Sequence, residues 1–87
     1  MSDVIGKFQI KFSDLNETQR KIIELLNEKI DIKVTSKEIA DKLEYNPQYV
    51  TQTINSLRKL NCPVILIREK KKAYHKLMRK IEIEMDI

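Results

Sequence analysis

The chain of 87 residues contains one glycine (Gly6), one cysteine (Cys62), one histidine (His75), two prolines and no tryptophan. A single glycine leaves no way to write a phosphate-cradling loop, a dinucleotide fingerprint or a nucleophile elbow. A single cysteine excludes an internal disulfide and a cysteine-built zinc site, and a single histidine excludes a multi-histidine metal centre. With no clustered carboxylates in a pocket-forming context either, no cofactor, no metal and no enzymatic activity are expected. The longest unbroken apolar run is Val64 to Ile67, far short of the ~20 residues a membrane helix needs. No secretory leader pattern is visible at the N-terminus, so the lone thiol suits a reducing cytoplasm.

What is present is charge. There are 17 Lys and Arg against 13 Asp and Glu, a net charge of +4 in a chain that is 41% hydrophobic. The length fits one small domain spanning residues 1–87. The charge is distributed unevenly. Arg68, Lys70, Lys71, Lys72, Lys76, Arg79 and Lys80 stand against one acid, Glu69, over residues 68–80, whereas 81–87 carries Glu82, Glu84 and Asp86. A basic run beside an acidic tail points to a polyanionic partner and to a complementary strand elsewhere in the chain.

Phe8-Gln9-Ile10-Lys11-Phe12 alternates apolar and polar, which predicts a half-buried strand over 8–12. Asn16 with Gln19 three residues on is a capping box, and Leu15 before it can staple onto the first turn. Ile22, Ile23, Leu25, Leu26 and Ile30 follow at helical spacing, so a helix is predicted over 17–28. Thr35 with Glu38 is a second capping box, backed by Ile39, Ala40 and Leu43, for a helix over 36–43. Asn46 caps a third helix whose first position is Pro47, where a missing N–H costs nothing. Val50, Ile54 and Leu57 are its buried stripe over 47–60. Asn61 can close it in the left-handed conformation. Val64 to Ile67 reads as a buried strand, Arg68 to Lys72 as a polar turn, and Ala73 to Leu77 as the return strand of a hairpin. The tail fits two patterns. Tyr74, Leu77, Met78, Ile81 and Met85 have helical spacing, while Ile81, Ile83, Met85 and Ile87 alternate with acids; a strand over 81–85 is preferred. Its acidic face complements Lys7, Gln9 and Lys11, so the terminal strands are expected to pair, within one chain or across a dimer.

Two helices joined by about three residues and followed by a basic hairpin have helix-turn-helix spacing with a wing. The stretch VTSKEIADKLEYNPQYVTQTINSLRKLNCPVILIREKKKAYHKL, Val34 to Leu77, resembles the winged helix-turn-helix family, as in biotin-repressor N-terminal domains and MarR-type regulators. TSKEIADKL is similar to the family's first helix, NPQYVTQTINSLRKL to its recognition helix and VILIREKKKAYHKL to strand, wing and strand. The family's usual glycine is missing from Glu44-Tyr45-Asn46 and from Glu69-Lys70-Lys71. The resemblance implies an α+β winged helix-turn-helix fold: three helices plus a C-terminal hairpin wing, core 13–78, with extra terminal strands at 8–12 and 81–85. It implies sequence-specific binding of double-stranded DNA by a transcriptional regulator, acting as a homodimer.

A helix in the major groove reads base edges with its N-terminal residues. Here these are Gln48, Tyr49 and Gln52, with Thr53 and Asn55 further along, on a face without acids. Thr35, Ser36, Thr51, Ser56, Arg58 and Lys59 are expected on the DNA backbone. Arg68, Lys70, Lys71, Lys72 and Lys76 form a wing suited to phosphates or the minor groove. Tyr49 has a second placement, packed back on the wing. Cys62 reads as a buried small residue rather than a reactive thiol, His75 as a polar wing residue, and the stripe at 81–87 as core or dimer surface. The rival expectation is a protein-interaction module that docks partners on the wing or on the edge of the terminal strands.

Overall fold

The computed structural model describes residues 8–85, so Lys7 and Ile87 lie outside the described residues. In chain order it has β1 (Phe8–Lys11), a 3-10 turn (Phe12–Asp14), α1 (Glu17–Asn27), α2 (Ser36–Leu43), α3 (Pro47–Lys59), β2 (Val64–Glu69), β3 (Lys72–Leu77) and β4 (Ile81–Glu84). The fold is an α+β winged helix: three helices around one apolar cluster, with the β2–β3 hairpin directly after them.

Each helix starts where its capping residues stand. Asn16 and Gln19 exchange side-chain and backbone hydrogen bonds at 2.8 Å in each direction, and Thr35 and Glu38 do the same at 3.1 and 2.8 Å. Asn46 Oδ1 accepts from the Gln48 N–H, with Pro47 at the first position. Such caps satisfy amides that no helix can satisfy internally, worth about 1 kcal/mol each. The apolar stripes then meet. Ile22, Ile23 and Leu26 from α1, Ile39 and Ala40 from α2, and Val50, Ile54 and Leu57 from α3 are all buried together. Val64 and Leu77, register partners at the base of the hairpin, seal one side, and Ile10 and Ile81 another.

The terminal strands pair within one chain. β1 runs parallel to β4, with Gln9 opposite Glu82 and Lys11 opposite Glu84. Gln9 Nε2 donates to Glu82 Oε1 at 3.1 Å. A two-stranded sheet is marginal by itself, and Asn27 anchors it. Its Nδ2 donates to the Ile81 carbonyl at 2.8 Å and its Oδ1 accepts from the Ile81 N–H at 2.9 Å.

Several expectations are corrected. β1 stops at Lys11, because Phe12 opens the 3-10 turn, with the Arg20 guanidinium 3.9 Å over its ring. α1 ends at Asn27, and Ile30 is not part of its stripe: it lies in the following turn and is 37% exposed. There the Glu28 and Lys29 amides bond back to Leu25 and Leu26, and Asp31 turns left-handed to donate to the Leu77 carbonyl. That redirects the chain so that Val34 bridges His75 in antiparallel fashion. Val64 to Ile67 is not a buried strand. β2 runs on to Glu69, and Ile65 and Leu66 are each 42% exposed, because beyond its base the hairpin projects away from the core. The hairpin turn is only two residues, Lys70 and Lys71, so Lys72 belongs to β3.

The missing glycines leave their mark on the backbone. Left-handed conformation is taken by Asp31, Glu44, Asn61, Lys70 and Lys71 (φ 67, 61, 69, 47 and 70°). Glu44 ends α2 and Asn61 closes α3, with Tyr45 N bonding Ala40 O and Cys62 N bonding Leu57 O. Lys70 and Lys71 both have positive φ, the pattern of a type I′ turn, which matches the strand twist. For a residue with a Cβ this region costs about 1–2 kcal/mol, partly offset by glycine's own entropy. Glu44→Gly and Lys71→Gly are therefore each expected to stabilise the fold by about 0.5–1 kcal/mol. The measurement is a higher urea midpoint at unchanged slope.

Candidate nucleic-acid interface

The exposed face of α3 begins at its N-terminus. Gln48, Tyr49, Gln52 and Asn55 are solvent-exposed and α3 contains no acid. Tyr49 is held on the α1 side: its hydroxyl lies 3.1 Å from Thr18 Oγ1 and its ring stands edge-on to Tyr45 at 5.7 Å. It therefore does not pack back on the wing. Thr53 is not on this face. It is buried, and its hydroxyl donates to the Tyr49 carbonyl at 2.9 Å. Ser56 is turned inward too, donating to the Thr53 carbonyl at 2.6 Å and accepting from buried Gln19 at 2.9 Å. Along a helix the exposed arc is narrower than the set of polar residues, and Thr53 and Ser56 fall on the arc that faces α1.

The wing is a second exposed cluster. Arg68, Lys70, Lys71 and Lys72 surround the two-residue turn and are exposed. Glu69, the one acid there, is neutralised by Lys33 Nζ at 2.7 Å. That hydrogen bond raises the Lys33 pKa above its ordinary value. Lys33 also stands 5.2 Å from the Tyr74 ring centre. Lys76 is not at the tip, and it pairs with Asp31 at 3.2 Å. The basic run of the sequence is thus divided. Arg79 and Lys80 follow β3 at the far end of the hairpin, about 20 Å of strand from the turn. Lys33 and Asp31 carry no local sequence signal, because long-range bonds, Asp31 N–H to the Leu77 carbonyl and the Val34–His75 bridge, bring that segment beside β3.

Between helix and wing lies a line of polar groups without a counterpart in the expectations. His75 is not a polar surface residue of the wing but is buried, 2% exposed. Arg58 Nη2 lies 2.9 Å from His75 Nδ1, and His75 Nε2 lies 3.0 Å from Ser36 Oγ. Ser36 Oγ lies 2.6 Å from Thr51 Oγ1, and Thr51 donates to the Pro47 carbonyl at 3.2 Å. A guanidinium can only donate, so Nδ1 must accept and the ring proton sits on Nε2. The directions follow: Arg58 to His75, His75 to Ser36, Ser36 to Thr51, Thr51 to Pro47. Arg58 also donates through Nε to the Val64 carbonyl at 3.0 Å and through Nη1 to Asn55 Oδ1 at 2.7 Å. Arg58, Ser36 and Thr51 are therefore engaged inside the protein, whereas Thr35 serves as a cap and Lys59 remains exposed. Cys62 is buried, and desolvation pushes its thiol up to about 11. Both ring nitrogens of His75 are occupied, so the two do not form a dyad.

Burial, and then the Arg58 charge, push the His75 pKa down to about 4 from its ordinary 6.5. Protonation would place a second donor on Nδ1, facing a guanidinium. The folded state binds its proton later than the unfolded chain, so this contribution to stability is complete above about pH 6.5 and lost as pH falls towards 4. Between pH 7 and pH 5 the loss is expected to be about 2 kcal/mol. It should be visible as a falling urea midpoint in the native protein and largely absent in His75→Gln.

The HTH domain family model matches residues 18–75. That span opens in α1 and closes on His75, leaving β1 and β4 outside. No curated protein and no solved structure matches the chain. Among the described residues no helix is long and apolar enough to cross a membrane. The match covers two consecutive helices with a tight turn and the hairpin behind them, so the chain belongs to the helix-turn-helix family of DNA-binding domains.

Proposed function

We propose that this chain is a sequence-specific regulator of transcription, a single winged helix-turn-helix domain with core 13–78 that binds double-stranded DNA as a homodimer. The N-terminal half of α3 enters the major groove, and the wing tip follows the backbone or minor groove. The observation that carries this reading is the pairing of two exposed surfaces: the acid-free face with Gln48, Tyr49, Gln52 and Asn55, and the tip with Arg68, Lys70, Lys71 and Lys72, whose one acid is neutralised by Lys33. A helix of this width fits the major groove, and Gln side chains can pair with adenine by two hydrogen bonds. Asn55 differs: Arg58 already donates to its Oδ1, so it approaches the groove through its Nδ2 donor. Lys59 and the hydroxyl of Thr35 are left to approach phosphates. A single module of this size covers a modest area of DNA, and two-fold pairing doubles it. A protein of this kind works beside DNA in the cytoplasm.

A second reading has one observation in its favour. Ile65 and Leu66 are exposed on β2, whose recorded strand partner is β3 alone, and an unpaired apolar edge can accept a partner strand.

Anisotropy titrations on duplex DNA separate the two. Lys71→Ala is expected to weaken binding to all sequences alike and to reduce the log–log salt slope by about 0.9. Gln52→Ala is expected to lower discrimination between sequences by about 1–3 kcal/mol with the salt slope unchanged. Undetectable DNA binding, together with partner binding that survives Lys70, Lys71 and Lys72→Glu, would favour the protein-docking reading.

A further inference from the structure

We propose that Arg58, near the end of α3, and His75, on the wing strand β3, are positioning residues for DNA recognition: they set the first turn of α3 through a one-way relay of hydrogen bonds, and so govern discrimination between sequences rather than hold on the backbone. The proposal rests on the reading of α3 as the base-contacting helix.

The relay ends where base contacts would begin. Its last acceptor is the Pro47 carbonyl, and the peptide plane of that carbonyl is the one that holds the Gln48 N–H. Its last donor, Thr51, directly precedes Gln52. The two glutamines of the exposed face, Gln48 and Gln52, therefore each directly follow an anchored residue. The relay starts at Arg58 and passes through the wing, since His75 belongs to β3 and its backbone N–H and carbonyl both bond to Val34. Ser36, at the first turn of α2, is the link between them. A second branch leaves Arg58 for Asn55 Oδ1 at 2.7 Å and fixes which way that amide faces. One guanidinium thus touches β2, β3 and the exposed face of α3.

Every member is tied to one direction. Arg58 has no acceptor and His75 in its neutral form has one, so no rotation of the hydroxyls downstream satisfies all the groups in the reverse sense. Such a relay has a single arrangement, and a hydrogen-bonded network that is fully satisfied holds its members in place better than packing alone. The charge acting on His75 is Arg58 on α3; its titratable neighbours on its own strand are Tyr74, beside Lys33, and Lys76, which pairs outward with Asp31. Among the described residues no carboxylate is recorded against Arg58, so its recorded partners are the Val64 carbonyl, the Asn55 amide oxygen and the neutral ring of His75.

The test begins with enrichment of duplexes from a random pool by the full chain. Affinities for the enriched and a scrambled duplex are then compared across salt concentrations. His75→Leu is expected to lower the enriched-to-scrambled affinity ratio by about tenfold, with the scrambled affinity and the salt slope unchanged. His75→Gln, which keeps a donor and an acceptor, should recover much of that ratio. Ile22→Val, a core change in α1, should leave the ratio intact even where it lowers the melting temperature. Should His75→Leu fail to fold, Thr51→Val carries the test, because it cuts the relay at a partly exposed, near-isosteric position rather than at the buried ring. It is expected to lower the ratio about threefold. An equal loss on both duplexes would make Thr51 a phosphate contact and overturn the relay, as would an unchanged ratio. A native chain that binds DNA but enriches no sequence would overturn the reading of α3 itself, and the relay with it.

Discussion

The hydrogen bond from Arg58 to His75 is the constraint on which the arrangement of helix and wing depends. A partly buried guanidinium is tolerated where its donors find acceptors, because desolvating it unpaired is costly. Here it meets neutral acceptors alone: the Val64 carbonyl, Asn55 Oδ1 and His75 Nδ1. The last of these exists only while the imidazole is neutral and carries its proton on Nε2. One charge therefore dictates a tautomer, the tautomer dictates the role of Ser36, and Ser36 dictates that of Thr51. A two-stranded hairpin would be marginal if it relied on its own ladder. This one is fixed to the helices at its base by Val64 and Leu77 in the core and by Arg58 along its flank.

The helices were legible because their signals are local. Two capping boxes and an Asn-Pro pair mark three N-termini to the residue, and the stripes Ile22–Leu26 and Val50–Leu57 are the faces that are buried. The pairing of the terminal strands was legible from opposite charge patterns, and Gln9 meets Glu82 as that pattern implies. What was not legible depends on contacts far apart in sequence. Nothing near His75 indicates that Arg58 and Ser36, 17 and 39 residues away, would close over it. Thr53 looked like its neighbours on paper, and only the approach of α1 separates it from Gln52. Val64 to Ile67 has the composition of a buried strand, but a hairpin with one partner strand and no covering layer cannot bury both faces.

The scarcity of glycine shaped the connections more than the elements. Among the described residues, four turns or caps are made left-handed by five residues with a Cβ, Lys70 and Lys71 sharing one turn. Asp31 and Asn61 are types that tolerate this region, whereas Glu44, Lys70 and Lys71 are not. The two lysines matter most. A two-residue turn keeps the wing short and places consecutive cations at its very tip, where a glycine pair would place none. Charge density and backbone ease are in opposition there, and this sequence has taken the charge.

Electrostatics and topology then divide the molecule into two ends. The terminal strands, outside the span that matches the family, carry Glu82 and Glu84 beside Gln9 and Lys11 and are clamped to α1 by Asn27. The wing tip carries cations whose one acid is neutralised by Lys33. Net charge averages these ends, but each faces different company. The acids of β4 are opposite polar or basic register partners of β1, so they contribute to internal pairing. The cations around the wing turn have no such opposite strand beyond Glu69, so their field extends into solvent, where a polyanion would meet it. The additional sheet thus engages Glu82 and Glu84 across β1 rather than leaving them to offset the cations of the wing tip.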